Sequence, residues 1–160
     1  MSGFLSRDNL RFLYRTEEGE IGAPAWWSGV AMLGSLLVPM TAIWLLLKPY
    51  STRGLDERAF IDPLTLAAYV YLIFYALIVV LIAVCYTNLS AKRFRAAGWR
   101  MGPVGLASLL PLFALLAGAA HWLYPRSQDS LTFALVVVCD LALIAIALWH
   151  VVVLGLIKQR

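Results

Sequence analysis

The chain has 160 residues, 62% of them hydrophobic, with a mean hydropathy of +0.81 and a formal net charge of +4. Soluble domains carry about half apolar residues, so this composition excludes an ordinary water-soluble fold and makes the bilayer the expected solvent. The 13 Lys and Arg sit in short blocks between apolar runs rather than across one folded face, which argues against nucleic acid as a partner.

Residues 1–25 are polar and of mixed charge, and they read as a cytoplasmic N-terminal interfacial segment. Arg7, Arg11 and Arg15 recur at helical spacing, while Leu5, Leu10, Phe12 and Leu13 occupy the rest of the wheel. A short amphipathic helix lying in the interface would bury that apolar arc. No cleavable leader is expected here, because the first apolar run is too long for the core of a signal peptide.

Residues 26–160 read as a transmembrane domain. Runs at 27–47, 64–87, 104–123 and 131–157 approach or exceed the roughly 20 apolar residues that cross hydrocarbon about 30 Å thick. Continuous helix is the expected form of each, since backbone groups in lipid must find partners internally. The predicted fold class is therefore all-α: a polytopic membrane protein with a four-transmembrane-helix bundle and a short N-terminal amphipathic segment.

The first span opens at Trp26-Trp27 and contains Pro39, a predicted kink. Asp62-Pro63 supplies a capping carboxylate and a first-turn proline to the second. That span ends in the basic stretch KRFRAAGWR, residues 92–100, where Lys92, Arg93 and Arg95 suit the negative end of the helix dipole and Gly98 suits the position just past the helix. GPVGLAS starts the third span, which holds Pro111 and the small pair Ala114 and Gly118. Asp129 and Ser130 are capping residues for the fourth.

All six tryptophans fall towards span ends: Trp26, Trp27, Trp99 and Trp149 on one side, Trp44 and Trp122 on the other. This pattern predicts aromatic belts. Orientation follows from Lys and Arg in the connecting segments. Nine of them (Arg7, Arg11, Arg15, Lys92, Arg93, Arg95, Arg100, Lys158 and Arg160) share one side, against Lys48, Arg53, Arg58 and Arg126 on the other. Both termini are therefore expected in the cytoplasm.

Two places are candidate sites. The basic loop, with Lys92, Arg93, Arg95, Trp99 and Arg100, is expected to contact anionic lipid headgroups as well as to set topology. Asp140 is a carboxylate within the fourth span, where insertion costs about 2.5–3.5 kcal/mol and a functional role is the default hypothesis. An antiparallel hairpin of the last two spans puts it near the level of Ala114. There it serves either as hydrogen-bonding glue between helices or as a proton or cation carrier, although no other ionisable residue occupies a span centre to complete a relay.

His121 and His150 are expected at opposite ends of their spans, too far apart to share a metal or haem. Cys85 and Cys139 read as small packing residues. Neither a cofactor nor a metal is expected, and no nucleophile has a base at a suggestive spacing.

Trp26-Trp27, Lys92-Arg93-Phe94 with Gly98, and Leu109-Leu110-Pro111 together resemble the bacterial inner-membrane family called domain of unknown function 805. In that family an aromatic pair opens the first span, and an R-R-L-H-D-x-G-type loop leads to a helix that reaches proline. The chain departs from the pattern at Arg95-Ala96, where the family has His-Asp, and in the tryptophan directly after Gly98. The resemblance implies a bacterial inner-membrane location and no particular biochemical role. The expected function is that of a non-enzymatic structural, assembly or accessory subunit, acting through helix packing, anionic lipid, and a membrane-protein partner or a homo-oligomer. A small transporter or proton-conducting unit using Asp140 is the alternative, and a membrane-bound enzyme comes last.

Overall fold

A computed structural model describes residues 7–16, 18–51, 62–99, 101–127 and 129–156. They form α1 (Arg7–Tyr14), α2 (Ala23–Ser51), α3 (Pro63–Ala96), α4 (Pro103–Ser127) and α5 (Ser130–His150), the last running on into a π-helical segment, Val151–Leu156. No strand occurs among the described residues. Four stretches, Ala23–Ser51, Pro63–Ala96, Pro103–Tyr124 and Ser130–Leu156, are long and apolar enough to cross a bilayer. The fold is all-α, and the chain is a multi-pass membrane protein.

The helix boundaries follow from local chemistry. Leu64 N–H donates to Asp62 Oδ1 at 3.2 Å, and the Thr65 hydroxyl donates to Asp62 Oδ2 at 2.9 Å, so Asp62 caps α3. Asp129 caps α5 in the same way, accepting from Thr132 N–H at 2.8 Å. Those bonds to Thr132 hold the Asp129 carboxyl below its ordinary range, which keeps the acceptor charged at neutral pH. Helix α2 runs through both Pro39 and Pro49.

Helix α3 continues from its apolar run through Asn88 to Ala96, the end that the basic stretch and Gly98 predict. Its 34 residues span about 51 Å at 1.5 Å per residue, well beyond hydrocarbon about 30 Å thick. It stops in a Schellman motif. Gly98 has φ +89°, its N–H reaches Arg95 O at 2.9 Å, and Trp99 N–H reaches Phe94 O at 3.0 Å. The hydrophobic contact that accompanies such a motif is also present, with the Phe94 and Trp99 rings 6.1 Å apart, edge to face.

The chain divides into two compact units, one of Met1–Gly29 with Ala83–Arg160 and one of Val30–Ile82. The second unit holds the later part of α2 and the first part of α3. Polar contacts join them: the Tyr71 hydroxyl donates to Met40 O at 2.7 Å, and the Thr41 and Tyr75 hydroxyls lie 2.9 Å apart. Trp44 stacks on Tyr75, with ring centroids 6.1 Å apart. Membrane helices lack a hydrophobic drive between them, so contacts of this kind and close packing hold them together.

In the first unit the start of α2, the end of α3, and α4 and α5 come together with α1. Every residue of α3 from Asn88 to Phe94 is buried. Trp26 is 2% exposed and donates its indole N–H to the Ser90 hydroxyl at 3.1 Å. It therefore belongs to the core rather than to an aromatic belt, whereas Trp27, Trp99 and Trp122 are exposed. Gly29 lies under Leu89, where an added Cβ would meet Leu89 Cδ2 at 2.7 Å, and Gly155 lies under the Trp27 indole at a similar distance, 2.7 Å.

Gly98 and Gly105 give a clean comparison, because an added Cβ meets nothing within 4 Å at either and only Gly98 has a positive φ. Gly98→Ala should lower unfolding stability in mild detergent by about 1–2 kcal/mol, the cost of left-handed backbone for an L-residue. Gly105→Ala should not lower it. Equal thermal or denaturant midpoints for the two variants would contradict the Schellman assignment.

Candidate functional site

The basic end of α3 has a different role from the one its sequence suggests. Lys92 and Arg93 are 0% and 1% exposed. The Lys92 ammonium donates to the carbonyls of Phe12 and, at 3.1 Å, Leu13, and lies 4.4 Å from the centroid of the Phe12 ring. Arg93 Nε–H donates to Leu154 O at 2.8 Å. These acceptors belong to the last turn of α1 and to the π-helical end of α5, so each cation caps the C-terminal carbonyls of another helix.

This corrects the expectation that Lys92 and Arg93 contact lipid headgroups, since burial among carbonyls removes them from the surface. They complement the dipoles of α1 and α5 rather than that of their own helix. Arg95 is half-buried and Trp99 exposed, while Arg100 lies outside the described residues. Two more bonds tie α1 down. Asn88 Nδ2 donates to Tyr14 O at 2.9 Å, and the Tyr14 hydroxyl donates to Gly29 O at 3.0 Å. Burial, and secondarily the nearby Cys85 thiol, pushes the Tyr14 phenol above its ordinary value, so it stays a donor at neutral pH.

With Leu13 turned inward at 2% exposure, α1 leaves Arg7, Arg11 and Arg15 exposed. Arg7 and Arg11 lie one turn apart on α1, and Arg15 directly follows its last residue. The apolar arc is only partly spent on the protein, since Phe12 remains exposed.

The second place is the α4–α5 hairpin. His121 Nε2 lies 3.0 Å from Asp140 Oδ2 and 3.2 Å from Oδ1. Asp140 therefore meets His121, an ionisable partner that simple residue counting does not find. From the hairpin turn, Asp140 is about 15 Å along α5 and His121 about 9 Å back along α4. Helical side chains lean towards their own N-terminus, so in antiparallel neighbours they lean in opposite directions. Here Asp140 leans towards the turn and His121 away from it, which closes the gap.

The His121 and Asp140 side chains remain 54% and 41% exposed. Their surroundings on this face are apolar or small: Val137, Leu141 and Ile144 on α5, Ala114 and Gly118 on α4, all exposed. An added Cβ at Gly118 would meet nothing within 4 Å. The pair is thus an open polar spot on a membrane-spanning hairpin.

His150 is the opposite case. It is 1% exposed, with Nδ1 2.9 Å from Ile146 O, and it is enclosed by Trp149, Phe94 and Tyr86 at 5.1, 5.7 and 6.1 Å between ring centroids. It is a packing residue of the buried end of α5. Cys85 and Cys139 are free thiols. Among the described residues no three His, Cys, Asp or Glu converge on a metal-sized site.

Comparison of the chain with protein-family models, with curated proteins and with solved structures finds no match.

Lys92 holds α1 by its C-terminal carbonyls, so Lys92→Gln should loosen that helix without adding a buried charge. Trypsin should then cut after the exposed Arg11 and Arg15 several-fold faster than in the unaltered protein in the same detergent. Unchanged cleavage would mean that Asn88 and Tyr14 suffice to hold α1.

Proposed function

We propose that this chain is a non-enzymatic assembly or accessory subunit of a bacterial inner membrane, with both termini in the cytoplasm. The observation that carries this reading is the His121–Asp140 pair, open to its surroundings on an otherwise apolar hairpin. An acid at the centre of a membrane helix costs about 2.5–3.5 kcal/mol on insertion scales. Its bond to His121 offsets part of that cost, and contact with another membrane helix offsets more, because packing and interhelical hydrogen bonds are what join helices in lipid. The orientation rests on the nine-to-four distribution of Lys and Arg. The resemblance to domain of unknown function 805 is in keeping with the inner-membrane location.

Anionic lipid fits this reading through α1 rather than through Lys92 and Arg93. Arg7 and Arg11 on α1 and Arg15 directly after it are exposed, and basic residues near an anionic surface contribute about 1 kcal/mol each. The exposed Asp8, Glu18 and Glu20 moderate that attraction. Replacing the three arginines by glutamine should reduce the anionic phospholipid that copurifies in mild detergent, with the difference shrinking in high salt. Equal retention at low salt would remove lipid binding from the proposed role.

The same pair supports a second reading, a proton-conducting unit, because an imidazole beside a carboxylate is a pair of titratable groups within a span. Substitution separates the two. Asp140→Asn keeps size and hydrogen-bonding capacity, so association with membrane partners should survive it, whereas Asp140→Leu should weaken association by roughly 0.6–2 kcal/mol, the scale of polar contacts between membrane helices. A relay would lose function equally in both variants. Proton flux into liposomes that Asp140→Asn abolishes, with thermal stability intact, would replace the assembly reading by the transport one.

A further inference from the structure

We infer that the partner of the α4–α5 hairpin is a second copy of this chain, joined across a two-fold axis by His121 and Asp140. The inference rests on the assembly reading above and names its partner.

The argument begins with unused bonding capacity. His121 presents Nε2 to both carboxylate oxygens, at 3.0 and 3.2 Å, and its Nδ1 makes no hydrogen bond among the described residues. With one proton between Nε2 and the carboxylate, Nδ1–H is left as a donor and the carboxyl group keeps acceptor capacity, so the pair within one chain leaves one donor and at least one acceptor over. A polar group left unpaired in hydrocarbon is costly. The leftover groups match each other one to one. Two copies facing each other close a ring in which each His121 donates once to its own Asp140 and once to the Asp140 of the other copy. The ring contains two imidazole and two carboxyl groups sharing two protons across the Nε2 contacts, and is neutral overall.

The surroundings fit such a contact. In a two-fold interface residue i meets j while j meets i, and His121 on α4 with Asp140 on α5 has that self-complementarity. Ala114 and Gly118 lie on the same exposed side of α4 as His121, and the space beside Gly118 is open, so a second backbone can come close. Exposed Val137, Leu141 and Ile144 would flank the ring with apolar contact and keep water out. A partner of different sequence would need to bring a matching acid and base at the same depth. The second copy brings both by construction.

The test uses the purified full chain in liposomes, with two fluorescent labels mixed and energy transfer followed as lipid dilutes the protein. The unaltered chain should form dimers, and His121→Leu or Asp140→Leu should each weaken dimerisation tenfold or more. The decisive sample mixes His121→Leu copies with Asp140→Leu copies. That pair retains one histidine and one aspartate facing each other, so it should associate more tightly than either variant does with itself, an outcome that loss of folding cannot produce.

A chain that is monomeric at every dilution overturns the inference, as does a mixture no tighter than its components. If the chain stays monomeric yet one defined membrane protein copurifies with it and is lost in Asp140→Leu, the second copy is wrong and the assembly reading stands. A monomer whose proton flux is abolished by Asp140→Asn overturns both.

Discussion

Burial of two cations at the end of α3 is the constraint on which the first unit depends. Taking an ammonium or a guanidinium out of water costs several kcal/mol even after relaxation, and here Lys92 donates to the carbonyls of Phe12 and Leu13 and Arg93 to that of Leu154. The offset comes from carbonyl dipoles at helix C-termini, where partial negative charge gathers and backbone acceptors lack intrahelical partners. One arrangement thereby solves two problems. The cations gain acceptors, and the last turns of α1 and α5 gain caps.

That arrangement explains several neighbouring features. Extending α3 to Ala96 brings Lys92 within reach of Phe12 and Leu13, and Arg93 within reach of Leu154. Close approach around this buried stretch requires residues without side chains, which is the position of Gly29 beneath Leu89 and Gly155 beneath Trp27. Phe94 sits at the centre, touching Trp99 through the Schellman motif and Trp149 and His150 on α5. Most of the apolar surface of α2 to α5 faces outward, as expected when lipid is the solvent, so this polar end of α3 is the nearest thing the unit has to a conventional core.

The hairpin shows the same physics without enclosure. His121 and Asp140 satisfy each other in part and stay open. Lys92 and Arg93 are enclosed by the protein, whereas His121 and Asp140 stay open, and this difference gives the first pair a structural role and supports the associative role proposed for the second.

Much was legible in the sequence because the bilayer constrains chains so strictly. Apolar runs of sufficient length must be helices, so the all-α class and the four spans followed, and capping chemistry is local enough that Asp62, Asp129 and Gly98 could be assigned from neighbours alone. What the sequence could not determine was where charged side chains find partners. Lys92 and Arg93 look like a surface cluster because neither Phe12 nor Leu154 is near them in the chain, and a carbonyl acceptor carries no signature in residue type. His121 and Asp140 meet only because side chains on antiparallel helices lean in opposite directions, an effect that counting residues from the turn does not include. Span, cap and composition are properties of local chain and solvent, and sequence by itself determined them. Pairing depends on the register between helices, which only the tertiary structure decided.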